Sequence, residues 1–310
     1  MTITPGGGFP HLGAFEARLA GALGRPHLAT WAALGALVLL AWAYLALAAT
    51  AVGLGGTFGA LGPGMATFDR LIGDFAHQDR LFAAISGNAW LSALIAVCAV
   101  SPADWSIADL VLHASMWLAM GVAMMLPTAA PMIRTYAEIA DTAAGQGRRV
   151  VSPLVLAAGY LTIWSAFAVA ATGLEWAIGL AGLVEAPMAA LPGWLAVAVM
   201  AGAGAYQFTA IKTACLVRCA RPFPVLFANW TEDPADVFRL GIRQGIHCLG
   251  CCWALMLVMF AVGMMNIVWI AGLAVVMTAE KVVATRWFSG LVGVVLLGWA
   301  AAAALALATA

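Results

Sequence analysis

Three thiols fall within five positions in the run His247-Cys248-Leu249-Gly250-Cys251-Cys252-Trp253, and two more, Cys215 and Cys219, lie upstream of it. Residues four apart share one face of a helix. Cys215 with Cys219, and Cys248 with Cys252, have that spacing, while Cys251 is one residue off the second face. Two such helices packed together bring four or five thiols to one point. Thiolate sulfur is a soft donor that selects copper in its Cu(I) state, zinc or an iron–sulfur cluster. Four thiolates around zinc form a common structural site, whereas the spacing here matches none of the usual iron–sulfur runs. Lys212, Arg218, Arg221 and Arg243 are near enough in sequence to balance thiolate charge. Two blander readings stand beside the metal site: small buried side chains in a helical core, and a disulfide, which a reducing compartment disfavours. His247 points to a different face from Cys248 and is not counted with the thiols.

A second set of soft donors is His113, Met116, Met120 and Met124, spaced as i, i+3, i+7 and i+11 on one helical face. Thioethers suit Cu(I) and hold it without burying protein charge. His113, Met120 and Met124 are therefore metal-ligand candidates together with Cys215, Cys219, Cys248, Cys251 and Cys252. The alternative is that the methionines fill gaps between packed helices. Met264-Met265-Asn266 forms a further Met-containing turn, in which Asn266 is placed to cap the next helix.

The elements that must position these groups are set by composition. Hydrophobic residues make up 64% of the 310 residues and charged ones 9%, against roughly 45–50% and about 25% in an ordinary soluble domain. The apolar excess must face something other than water, and an all-α polytopic membrane helix bundle is the expected fold class. Seven stretches have the length of a span: 28–54, 107–126, 153–177, 192–216, 245–262, 267–283 and 289–308. An eighth, 81–100, is interrupted by Ser86-Gly87-Asn88. Cytoplasmic loops carry the Lys/Arg excess. With seven spans and the N-terminus inside, 12 of the 14 Lys and Arg residues lie inside, leaving only Arg70 and Arg80 outside. A full span at 81–100 would destroy that agreement, so it is expected to be re-entrant or interfacial. The organisation expected is a cytoplasmic segment 1–27 and one transmembrane domain over 28–308, with an outer segment 55–106 and an inner connection 218–244. The span at 28–54 is too long for a signal-peptide core and is read as a retained helix. The thiols then sit at the cytoplasmic mouth of the fifth span.

Other polar residues have structural readings. Lys212 and Lys281 can snorkel at the inner boundary, Glu280 is expected to pair with a base there, and Glu175 and Glu185 are assigned to an outer loop without a special role. Gly159 and the pair Gly202 and Gly204 are expected at close helix contacts. The net charge is zero with no basic run, which argues against a nucleic-acid partner. No phosphate loop, nucleophile elbow or paired-carboxylate motif occurs, so a binding protein is expected rather than an enzyme.

These residues resemble a bacterial family of predicted metal-binding integral membrane proteins described as copper chaperones. The likeness runs from about Trp105 to Ala308 through Trp117, Met120, Met124-Met125-Leu126-Pro127, Gly159-Tyr160, Tyr206-Gln207, Lys212, Cys215, Cys219, Cys248, Gly250-Cys251-Cys252-Trp253, Met265-Asn266 and Glu280-Lys281. It implies copper as the bound metal, with zinc as the alternative, and the bacterial inner membrane as the location. Two functions follow from the residues. One is Cu(I) handling, with metal moving from the His/Met face to the Cys cluster. The other is a non-catalytic auxiliary subunit of a larger membrane complex, a monooxygenase or photosynthetic assembly for example, docking other membrane subunits through its Trp-rich spans.

Overall fold

A computed structural model of the chain describes residues 26–54, 62–67, 104–183 and 190–309. The expected re-entrant segment 81–100 and Glu185 lie outside these residues, as do Arg70 and Arg80. Every described element is helical: α1 (Pro26–Leu54), α2 (Ile107–Gly145), α3 (Pro153–Leu180), α4 (Gly193–Tyr206), α5 (Ala210–Ala220), α6 (Phe223–Ala228), α7 (Pro234–Val262), α8 (Ile267–Val283) and α9 (Arg286–Thr309). The protein is all-α, as its composition requires.

Helix boundaries follow local chemistry. The Ser106 hydroxyl accepts from the Asp109 amide while the Asp109 carboxylate accepts from the Ser106 amide, a reciprocal cap that starts α2. Asp233 accepts from the amides of Ala235 and Asp236 to start α7, with Pro234 at the first helical position. Asn266 caps α8 by accepting from the Trp269 amide at 3.3 Å, as expected, and donates to the Pro63 carbonyl at 3.0 Å. That second bond ties the 62–67 segment to the α7–α8 turn.

Five helices, α1, α2, α3, α7 and α9, are long and apolar enough to cross a membrane, and a sixth span results if α4 and α5 are taken together. The expected stretch 192–216 is not one straight helix. It bends by 65° between α4 and α5, where Thr209 caps a new helix by accepting from the Lys212 amide. α8 has its expected bounds but only 17 residues, roughly 25 Å at 1.5 Å per residue. α2, by contrast, continues past 126 to Gly145 through Pro127 and Pro131.

The core is built on α7. α3 and α5 pack against it, α2 packs along α3, α8 lies on α2, and α9 pairs with α4. The α3–α7 crossing is unusually close because two glycines meet there. A Cβ on Gly159 would stand 2.1 Å from the Phe238 carbonyl oxygen, and one on Gly241 would stand 2.2 Å from that of Leu156. Gly204 likewise lets α4 approach α9, where an added Cβ would stand 3.0 Å from the Gly293 oxygen. Gly202, expected to share that role, faces open space with nothing within 4 Å. Gly241→Ala is therefore expected to cost about 1–3 kcal/mol through overpacking, read as a lower midpoint of thermal unfolding in detergent. Gly202→Ala is expected to leave that midpoint within error, because its new methyl group meets nothing.

Candidate metal centre

α7 carries Cys248, Cys251 and Cys252 on one buried arc, each about 1% exposed or less. The expected span began at 245, but the helix starts at Pro234. The helix thus carries an exposed, charged first part with Asp236, Arg239 and Arg243 ahead of the buried Cys248. The Cys251 and Cys252 sulfurs are 3.3 Å apart, and the Cys251 thiol donates to the Cys248 carbonyl at 3.1 Å. α5 brings the half-buried Cys219 beside the arc, near enough to Cys248 and Cys251 to interact with them electrostatically, without a hydrogen bond to either among the described residues.

Cys215 does not join this group. Its sulfur seats against the bare backbone of Gly250, 2.7 Å from where a Cβ would stand. Shared helical phase with Cys219 does not bring the two sulfurs to the same part of α7, since Cys215 meets it at Gly250. Its contact explains the glycine between Leu249 and Cys251. Next to it the Tyr206 hydroxyl donates to the Gly250 carbonyl at 2.5 Å, fixing the α4–α5 bend against α7. His247, half-buried, lines a surface cleft with Arg218, Val225, Arg243 and Ile246 and stays apart from the thiols, as expected.

Polar groups around Cys248 come from three other helices. The Tyr160 hydroxyl of α3 lies 2.9 Å from the Cys248 sulfur and donates to the Met125 carbonyl of α2 at 3.0 Å. The Lys281 ammonium of α8 donates to the same sulfur at 3.1 Å and to the Thr128 hydroxyl of α2. Lys281 thus points into the bundle instead of snorkelling. A monovalent metal held by two or more thiolates is anionic, and Lys281 places a cation where that charge would form. Sequence reasoning gave neither Thr128 nor Tyr160 a role at the thiols. A lysine within an apolar helix was the available signal, since an ionisable group there is a functional candidate by default.

Lys212 is also buried. Its ammonium donates to Glu280 at 2.7 Å, and the two side chains are 0% and 1% exposed. This confirms the expected pairing of Glu280, with Lys212 as the base, and shows that Lys212 does not snorkel. The other Glu280 oxygen, Oε1, has no hydrogen-bond partner among the described residues.

The His/Met face is likewise internal, with His113, Met120 and Met124 fully buried. His113 Nδ1 lies 2.9 Å from Glu175 Oε1, and the Trp117 indole donates to Glu175 Oε2 at 3.0 Å. Glu175 is therefore a buried residue of α3, not part of an outer loop. The expected span ended at 177, which put Glu175 at its edge; α3 continues to Leu180 and carries it inward.

Among the described residues, no three His, Cys, Asp or Glu side chains stand in a finished metal cage. Tetrahedral ligation with metal–sulfur bonds of about 2.3 Å sets sulfurs roughly 3.8 Å apart, whereas Cys251 and Cys252 are at 3.3 Å and hydrogen-bonded. The donor set fits a soft metal in kind, and loading needs the thiol side chains to rearrange.

A helical bundle with five helices of spanning length and three buried thiols on one of them defines a class: an all-α protein with soft donors in its core. The chain belongs to the copper chaperone family PpoB2, whose family model matches residues 114–303. That range contains the thiol cluster and every helix that contributes to it. No curated protein and no solved structure gives a significant match.

The buried ion pair yields a stability test. Lys212→Met leaves Glu280 charged and alone inside the bundle and is expected to cost about 3–5 kcal/mol. The double variant Lys212→Met/Glu280→Met removes both charges and is expected to recover most of that loss. Folded yield and thermal midpoint of the two proteins in the same detergent check the pair.

Proposed function

We propose that this chain is an integral membrane protein that binds Cu(I) at Cys219, Cys248, Cys251 and Cys252 and passes it on by thiol exchange, without covalent catalysis. The observation that carries the reading is the buried arc of Cys248, Cys251 and Cys252 on α7, with the Lys281 ammonium 3.1 Å from the Cys248 sulfur and Cys219 of α5 beside it. Family membership supports copper over zinc, and soft thiolates suit the cuprous ion. The proposal departs from sequence reasoning in leaving Cys215 out.

Membrane embedding is supported by the outer surface of the bundle. Leu39 and Leu40 on α1, Val169 on α3, Val275 on α8, and Val294, Val295 and Leu305 on α9 are all more than half exposed. Water would not tolerate so broad an apolar surface. We take the location to be the bacterial inner membrane, with α8 and the bent α4–α5 pair as the remaining spans and the N-terminus in the cytoplasm. Support for the orientation comes from one end of the bundle, where the Arg148–Glu232 ion pair at 2.9 Å joins the α2–α3 turn to the α6–α7 turn. Arg148, Arg149, Arg239 and Arg243 cluster near those turns, matching the Lys/Arg excess of a cytoplasmic side.

Elemental analysis of protein purified without added chelator tests the site. Cys215→Ser is expected to retain as much copper as wild type, and Cys248→Ser/Cys252→Ser to lose the thiol-bound equivalent. Unchanged copper in the double variant would overturn the assignment, and zinc in place of copper would overturn the choice of metal.

A further inference from the structure

Glu175 and the unpartnered Nε2 of His113 have no role in the thiol cluster. His113 lies 15 residues before Thr128 on α2, roughly 22 Å along the helix axis, and Thr128 accepts from Lys281 at the thiol end. The two arrangements are therefore separate places in the bundle.

The carboxylate of Glu175 faces two neutral rings. One oxygen meets His113 Nδ1 at 2.9 Å, and the other accepts from the Trp117 indole at 3.0 Å. Trp105 lies over the imidazole, with ring centroids 3.9 Å apart. His113 is 0% exposed, and its Nε2 has no hydrogen-bond partner among the described residues. Neither way of placing the proton completes this arrangement. With hydrogen on Nδ1 alone, the carboxylate charge is buried against neutral donors, which is costly, and Nε2 presents an unused lone pair. With hydrogens on both nitrogens, the charge is balanced but the Nε2–H is buried without an acceptor. A cation bound to Nε2 resolves both deficits, because it takes the lone pair and supplies the positive charge. Carboxylate on one ring nitrogen and metal on the other is how proteins commonly orient a histidine ligand.

We infer that His113 Nε2 is the anchoring donor of a second Cu(I) site, distinct from the thiols, and that Glu175 and Trp117 are positioning residues that fix its tautomer and its charge. Met116 and Met120, buried one and two turns along the same face, supply soft uncharged donors for the same ion. A net-neutral set of Cu(I), carboxylate, imidazole and thioethers suits an apolar interior better than a set of thiolates. The inference rests on the copper-handling reading of the chain and assigns it a separate receiving point.

The test uses full-length protein in detergent under anaerobic conditions, titrated with Cu(I) from its bicinchoninate complex. Wild type is expected to bind two Cu(I) per chain. The variant with Cys219, Cys248, Cys251 and Cys252 all changed to Ser is expected to keep one, with imidazole nitrogen in its X-ray absorption fine structure. Adding His113→Ala should abolish it. Adding Glu175→Gln should weaken it about 10–100-fold, because an amide oxygen cannot accept from both His113 and Trp117 while its NH2 group faces them. A folded quadruple variant that binds no Cu(I), or binds it without imidazole, overturns the inference. Should that variant not fold, wild type loaded with two equivalents carries the test: imidazole scattering must be present and must fall in His113→Ala, and its absence overturns the site. If the quadruple variant still binds two Cu(I), the thiol reading fails, and the His113 site is judged by its own loss in His113→Ala.

Discussion

An ammonium held 3.1 Å from a thiol sulfur, in the middle of an apolar bundle, is the contact on which the rest of this structure turns. A buried charge is expensive unless hydrogen-bonded and paired. Lys281 meets that demand by drawing in Cys248 of α7 and Thr128 of α2, and Tyr160 of α3 completes the set by bridging the Cys248 sulfur to the Met125 carbonyl. Four helices are thereby committed to one point. The neighbouring residue repeats the logic in the opposite sense, since Glu280 takes the buried Lys212 of α5, the helix that also brings Cys219 to the thiols.

That point is reachable because the backbones come close. Gly159 and Gly241 remove the side chains that would hold α3 and α7 apart, and the residue after Gly159 is Tyr160, whose hydroxyl reaches Cys248. Gly250 plays a smaller part of the same kind by making room for the Cys215 sulfur. Small residues at helix contacts suit a bundle in lipid, where close van der Waals packing takes over from hydrophobic association. The thiols are consequently in a dry, closely packed place, where hydrogen bonds to a sulfur are strong and rearrangement is confined to small shifts of side chains.

Two sets of soft donors thus have different supporting chemistry. The thiols are backed by a cation, which suits an anionic metal–thiolate group. His113 is backed by a carboxylate, which suits a cation on a neutral ring. Along one chain this gives two environments of opposite electrostatic sense, both buried, joined through the length of α2.

The sequence by itself determined the helical class, most helix bounds, the cap at Asn266, the pairing of Glu280 and the identity of the soft donors. Each follows from local information: hydrophobic length, a capping side chain next to its own amides, or residue type. It also marked Cys219, Cys248, Cys251 and Cys252, because their density on α5 and α7 is a one-dimensional property. The tertiary structure decided which thiols meet. Helical phase treats Cys215 and Cys219 as equivalent, but in the packed bundle Cys215 seats on Gly250 while Cys219 lies beside Cys248 and Cys251. The tertiary structure decided as well that Lys281 and Glu175 point inward. Whether a charged side chain near the end of an apolar run reaches for water or for a partner depends on what the neighbouring helices present, and those partners, Cys248 for Lys281 and His113 with Trp117 for Glu175, are distant in sequence and adjacent only in the folded bundle.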